Sequence, residues 1–469
     1  MSEPYRTIED RKTLAIITAL IALSTLIDGL DSTILNVALP TMSKDFNITI
    51  ADSSWIPVAY TIALASLILP FAKIAKNGWM REFFIGGTAL FTVCSVICAF
   101  SGDFLTFILS RLMQGVGAAM VISSVPLMII RLLPPDHKGR GMAIMGMASG
   151  LAVVLGPSLG GIITSCLSWH WIFLVNVPIG AFVILLALRT VPGPRDHTMG
   201  HYPDVINSAL TFVCICFSLT FLQNIDESEL SDGFVILCGA GAALSLFLLM
   251  WRSHVRRDTA IVSSEMLFRR NFALLCLAFT MTTIIIVGAQ YVLPYYLEYV
   301  KGYPVSEIGY LLSVASIVTI VLSAPVGKWC DSRGCKVPSV GAGVFRLLFT
   351  ATFAVGAATM ELPVLIIGLV CMGISMACAG TGLATFIIHH TEERYQDESA
   401  TFIMVVNYMA AAFGVTVTSL VYSLNTSGSN LPQEVLAGFE SCMWFFVVLA
   451  VVAVVCTLVV PNIVPKKKE

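Results

Sequence analysis

Apolar runs of about twenty residues recur along nearly the whole of this 469-residue chain, and that length is what an α-helix needs to cross the hydrocarbon of a bilayer. No other feature narrows the possible folds so far. The charged content is 12% against 57% hydrophobic residues, about half the charge of an ordinary soluble domain, and the mean hydropathy is +0.86. A water-soluble core has no use for that much apolar surface. The chain reads as an all-α polytopic membrane protein, with spans expected over 14–39, 53–72, 83–101, 104–130, 141–166, 170–189, 205–223, 233–251, 271–296, 307–327, 337–358, 362–388, 400–423 and 438–461. The first run is too long for a signal peptide, carries two acids and ends without a small-residue cleavage site, so it is expected to remain as the first span.

Fourteen spans put both termini on one side, and the basic residues test that count. Of the 27 Lys and Arg, 23 fall in loops on the terminal side, Lys44 and Lys301 on the opposite side, and Arg111 and Arg346 inside spans. One missed early span would scramble this asymmetry, so it supports cytoplasmic termini. The acidic loop with Asp226, Glu227, Glu229 and Asp232 then faces outside. The longest connectors, 190–204, 252–270, 389–399 and 424–437, are too short for a separate catalytic domain. Without a Walker loop, a dinucleotide fingerprint or a nucleophile elbow, the chain is not expected to be an enzyme, to bind nucleic acid or to need a cofactor. The thirteen cysteines form neither CxxC pairs nor Cys/His clusters, so no metal is expected; they read as small buried residues.

Charges inside the membrane narrow the function. Each costs at least about 2.5–3.5 kcal/mol at the bilayer centre and so usually has a partner or a task. Asp28 and Asp31 interrupt the first span three residues apart, on one helix face. With the span ending at Pro40, Asp31 lies about 13 Å inside its outer end, and Arg111 about 10 Å into the fourth span from the same side. A contact between them is geometrically possible, either as a permanent strut or as a pair that a proton can switch. Asp28 has no cationic partner in sequence and reads as a neutral acid, a second proton carrier or a counter-charge for substrate. Gln290, Tyr291, Tyr295, Tyr296 and Glu298 near the outer end of the ninth span either line a cavity or form an interfacial aromatic belt with a snorkelling acid. Asn407 is either a cavity residue or a packing hydrogen bond.

Several segments together resemble a known family. LDSTILNVALP (30–40) resembles the first-helix signature of the fourteen-span drug:proton antiporters of the major facilitator superfamily. SRLMQGVGAAM (110–120) resembles the fourth-helix motif in which the arginine, here Arg111, with Gln114, Gly115 and Gly117, is associated with proton transfer. GLAVVLGPSLGG (150–161), with Gly150, Gly156, Pro157, Gly160 and Gly161, resembles the fifth-helix antiporter motif, and WHWIFLVNVPIG (169–180) the start of the sixth helix. The superfamily's loop between its second and third helices recurs as APVGKWCDSRGCK (324–336), with Gly327, Asp331, Arg333 and Gly334 in place. Its first-half copy, PFAKIAKNGWMRE (70–82), is eroded, the aspartate position falling on Lys76 or Asn77. A latch built on that aspartate is then weaker or differently built here.

The resemblance implies the major facilitator fold: a six-helix bundle over 1–190, two extra helices with their linker over 191–252, and a second six-helix bundle over 253–469. It implies a monomeric, multi-pass exporter in the cytoplasmic or plasma membrane, driven by the proton gradient and working by alternating access on amphipathic, often cationic, drugs or biocides. Asp31 is the expected proton site, Arg111 its modulator and Asp28 a second acid that sees substrate. Gln114, Gln290, Tyr291, Tyr295, Glu298 and Asn407 are further candidates for substrate contact. A metabolite or amino-acid exporter, or a proton symporter, of the same fold is the alternative.

Overall fold

A computed structural model describes residues 8, 10–193, 205–224, 232–255, 269–392, 396–426 and 431–462. The described residues are almost wholly helical: α1 (Arg11–Phe46), α2 (Trp55–Ile74), α3 (Met80–Phe100), α4 (Phe104–Leu132), α5 (Pro135–Cys166), α6 (His170–Leu174), α7 (Asn176–Thr190), α8 (Val205–Asn224), α9 (Asp232–Val255), α10 (Arg270–Tyr295), α11 (Val305–Arg333), α12 (Lys336–Gly356), α13 (Leu362–Ala377), α14 (Ala384–His389), α15 (Gln396–Ser423) and α16 (Pro432–Val459). Eleven helical stretches among these residues are long and apolar enough to cross a membrane, and shorter apolar helices cover Ala209–Leu222 and Gly233–Leu249, where the two extra segments are expected. The acidic loop at Asp226 to Glu229 and the C-terminal lysines lie outside the described residues.

One expectation about the first helix needs correcting. It does not stop at Pro40 but runs on to Phe46, because a transmembrane helix tolerates the single lost bond to the carbonyl four residues back. The true end is a Schellman cap. Asn47 takes the left-handed conformation at φ 51°, its N–H donates to the Lys44 carbonyl at 3.2 Å, and the Ile48 N–H donates to the Ser43 carbonyl at 3.0 Å. Asp31 is therefore fifteen residues, about 22 Å, from the end of its helix rather than about 13 Å. At the start of α4, by contrast, the expected and observed ends coincide: the Asp103 carboxylate accepts the Thr106 N–H at 2.8 Å, and that bond holds it below the ordinary carboxylate range.

The chain divides into two compact units, one made of 1–41, 55–221 and 231–259, the other of 42–54, 222–230 and 260–469. Lipid offers little hydrophobic drive for helices to associate, so close packing at small residues has to supply it. Each unit uses the same seams. In the first, a Cβ added to Gly115 on α4 would stand 2.4 Å from the Tyr60 carbonyl on α2, and one on Gly160 of α5 would stand 2.4 Å from the Ile34 carbonyl on α1. In the second, Gly373 on α13 meets the Ala315 carbonyl on α11 at the same 2.4 Å, and Gly414 on α15 sits against Ile284 of α10. Seams between the second and fourth helices, and between the first and fifth, thus occur in both units.

The repeated loop turns on a glycine in both halves but follows a different backbone course in each. In the second unit α11 ends on Arg333, and Gly334 turns the chain at φ 85°. In the first, helix continues from α2 into α3 through a wide five-residue turn in which Gly78 has φ 105°. Both copies use glycine where an L side chain would be strained. Arg333 stacks on Trp329 with its guanidinium carbon 5.4 Å from the ring centre. Gly327 is in ordinary contact with Thr381. Asp331 lies in the last turn of α11; its side chain is outside the described residues.

Candidate functional site

The first unit gathers its membrane-embedded charges into one network. Arg111 Nη1 on α4 donates to Asp31 Oδ2 on α1 at 2.7 Å, with Arg111 1% and Asp31 2% exposed. The same nitrogen donates to Gln114 Oε1 at 2.6 Å. Gln114 Nε2 donates to Asp31 Oδ1 at 3.2 Å and to Ser95 Oγ on α3 at 2.9 Å. Asn176 Nδ2, at the start of α7, donates to Asp31 Oδ1 at 3.2 Å. Every hydrogen-bond partner of the Asp31 carboxylate is therefore a donor, a shell suited to the ionised acid.

Tyr60 on α2 links this pair to the second acid. Its ring lies under Arg111, 4.6 Å from the guanidinium carbon, and its hydroxyl donates to Asp28 Oδ1 at 2.5 Å. Arg111 is also 5.7 Å from the ring centre of Phe173, so the cation is roofed by aromatic faces. Asp28 borders a cavity of about 20 Å³ shared with Ser24, Ile27, Thr88, Phe91 and Val121. That is room for about one water, with a carboxylate and two hydroxyls to hold it.

The sequence singled out Asp28, Asp31, Arg111 and Gln114, and the structure brings all four together. It missed Tyr60, Ser95 and Asn176. Asn176 stood within the quoted sixth-helix stretch, whereas Tyr60 and Ser95 had no signal beyond being polar in apolar runs. Of the fifth-helix motif, Gly156 and Gly160 pack directly on Thr33 and Ile34 of α1, two and three residues past Asp31. Pro157 lies inside α5, Gly150 is half-buried and Gly161 is buried.

The second-unit candidates behave differently. Tyr291 and Tyr295 are 1% and 0% exposed, so of the two readings left open for them, cavity lining or interfacial belt, burial speaks against the belt. The reason is that their hydroxyls find partners in the part of the second unit formed by 42–54. Tyr291 donates to the Ile50 carbonyl, and the Tyr295 hydroxyl lies 2.7 Å from Ser43 Oγ and 2.6 Å from Ser53 Oγ. Glu298 forms an ion pair with Lys44, whose ammonium is also 4.7 Å from the Tyr299 ring centre. Tyr296 donates to the Ala357 carbonyl at 2.6 Å, and Gln290 is half-buried. Asn407 Oδ1 accepts from Thr283 Oγ1 at 3.4 Å, joining α15 to α10. Tyr291, Tyr295 and Glu298 thus bond to the 42–54 stretch, whereas Tyr296 and Asn407 make separate contacts. Arg346, noted in sequence only as lying in a span, is 2% exposed and ties α12 to α13 and α10 through Ser375 Oγ at 2.7 Å and the Thr282 carbonyl.

Among the described residues no group of three or more His, Cys, Asp or Glu could hold a metal ion. The family described as Major Facilitator Superfamily matches residues 21–415. A riboflavin transporter, RibZ, of Clostridioides difficile is 24% identical over 87% of this chain and 88% of its own length. The multidrug export protein EmrB of Haemophilus influenzae is 26% identical over 87% of this chain and 80% of its own. Among solved structures, a bacterial homologue of the human lysosomal transporter Spinster superposes with a TM-score of 0.67 at 15% identity, covering 96% of this chain and 98% of that one. The xylose transporter XylE from E. coli gives 0.62 at 13% identity, over 96% and 98%; both show likeness of fold.

Proposed function

Because the chain belongs to the major facilitator superfamily, with multidrug exporters among its relatives and transporters rather than enzymes as its kin, we propose that it exports amphipathic, cationic organic compounds across the cytoplasmic membrane in exchange for protons. The observation that carries the reading is the Asp31 carboxylate, buried and held only by donors from α4 and α7. A proton on Asp31 would turn one of its acceptor oxygens into a hydroxyl facing donors. On Oδ2 that hydroxyl displaces Arg111, and on Oδ1 it displaces Gln114 and Asn176, so in either case the hold of α4 on α1 loosens. Loss of the proton restores the grip, so proton loading and helix arrangement are linked.

Charge balance supplies the exchange. Asp28, Asp31 and Arg111, all ionised, carry one net negative charge in a low-dielectric setting. One proton or one monovalent cation neutralises it, and the two compete; one-for-one exchange moves no net charge, whereas protons on both acids would move one extra charge per cycle. Asp28, bonded to Tyr60 and open to the small cavity, is the acid placed to meet the cation. The two bundles would then alternate access to a central site, in a monomer with fourteen spans and both termini cytoplasmic, as the basic-residue asymmetry supports.

A second reading, export or proton symport of a neutral or zwitterionic metabolite, has the riboflavin-transporting relative behind it. Liposomes holding the purified protein and a trapped pH-sensitive dye separate the two. Under an imposed pH gradient, a quaternary ammonium compound should evoke proton movement through the wild type and none through Asp31→Asn. No evoked movement in folded protein, together with movement evoked by a flavin or another neutral metabolite, would favour the second reading.

A further inference from the structure

The first unit also holds a cavity far larger than the one beside Asp28. It lies at the starts of α1 and α5, has a volume of about 650 Å³, and is bordered by Arg11, His137 and Arg140 at one end and by Ala15, Ala19, Ala22 and Ile144 along its length. Residues 11, 15, 19 and 22 recur at helical spacing, as do 137, 140 and 144, so two helix stripes face one groove. From Arg11 to Ala22 is about 16 Å along the axis. Charge is confined to one end, and beyond it the walls are alkyl apart from Thr18.

The charge at that end is positive. Asp136, the acid beside it, is paired with His137 at 3.1 Å and is itself 75% exposed, and the Asp10 carboxylate is occupied by the Thr13 N–H and hydroxyl at 2.9 and 2.7 Å. Arg11 and Arg140 line the groove, and among the described residues no acid pairs with either. Such a site repels the cations proposed above as cargo. Its form fits an amphiphile with an anionic head and a long tail, and Ala15 and Ala19 are exposed, so a chain can lie along the groove without having to thread into it. Basic pockets between helices on the cytoplasmic side suit anionic lipid heads.

We infer that this groove binds an anionic phospholipid, with its phosphate between Arg11 and Arg140 and one acyl chain along the alanine stripe of α1. The site stands independently of the transport reading. Because α1 also carries Asp28 and Asp31, and α5 carries the glycines packed on it, the lipid bridges the two helices whose seam adjoins the acid pair.

The test is thermal unfolding of delipidated protein in detergent titrated with phosphatidylglycerol, phosphatidylcholine or inorganic phosphate. Phosphatidylglycerol should raise the Tm of the wild type at low lipid ratios, and phosphatidylcholine and phosphate should not. Arg11→Gln with Arg140→Gln should raise the half-effective lipid concentration roughly tenfold or more. Lys12→Gln with Lys138→Gln, the same charge removed outside the groove lining, should leave it unchanged. Ala19→Phe keeps every charge but fills the groove, and should weaken the lipid effect even if the arginine variant folds poorly. Equal loss in both charge pairs, an unaltered response in Ala19→Phe, or the same shift from inorganic phosphate would overturn the inference.

Discussion

Arg111 and Asp31 stood out in sequence because a charge in an apolar run is expensive and conspicuous; what surrounds them did not. Tyr60 is an ordinary aromatic in an apolar helix until folding sets its ring under Arg111 and its hydroxyl on Asp28. Tyr291 and Tyr295 stayed ambiguous in sequence for the same reason, since a tyrosine near a span end looks alike whether it faces lipid or a buried hydroxyl. Two predictions belong at this scale. Arg111→Ala leaves the Asp31 carboxylate buried without its cation, which should cost about 3–5 kcal/mol and lower the Tm in detergent, whereas Asp31→Asn keeps the side chain's shape and should lower it less. Asp28→Asn should convert electrogenic export of a monocation into electroneutral export if both acids carry protons, removing a drive of about 2.3 kcal/mol per 100 mV. Transport by Asp28→Asn that still responds to an imposed potential as the wild type does would reject a proton-carrying role for Asp28.

Most helix ends were legible to within a few residues because lipid demands long apolar runs, but α5 and α16 start six residues earlier than expected, α11 ends six later and α1 seven later. Pro40 reads as a stop in a soluble protein, yet α1 passes through it and ends on the Asn47 cap. A helix contact was legible where charges marked it, as between Asp31 and Arg111; that Gly156 and Gly160 meet α1 was not, and Gly373 and Gly414 carried no mark at all. The paired seams give a prediction at this scale. Gly115→Val and Gly373→Val should each lower stability by about 1–3 kcal/mol through overpacking and slow transport, because a side chain would have to displace a backbone carbonyl. Gly102→Ala and Gly139→Ala, which meet nothing within 4 Å, should be silent in both assays.

The chain as a whole carries two units with the same internal seams, and that repetition is what two bundles working against each other require. The eroded loop at 70–82 keeps a turning glycine, Gly78, while losing its acid, and helix runs on through it where the second copy ends, so the departure lies in charge and in backbone. Topology is testable with a native residue. Cys166, exposed at the end of α5, should react with a membrane-impermeant thiol reagent added outside intact cells. A cysteine introduced as Ser2→Cys should react only after permeabilisation, and the reverse pattern would refute cytoplasmic termini.

The central claim is that a proton and a cationic compound compete for the acid pair on α1. It is tested most directly by weakly buffered purified protein in detergent, with a pH indicator recording protons released when a quaternary ammonium compound is added at a pH where transport runs. Stoichiometric release is expected from the wild type, falling as the starting pH rises, and none from Asp31→Asn that still binds the compound. Equal release from both proteins, or binding with no release at any pH, would contradict it.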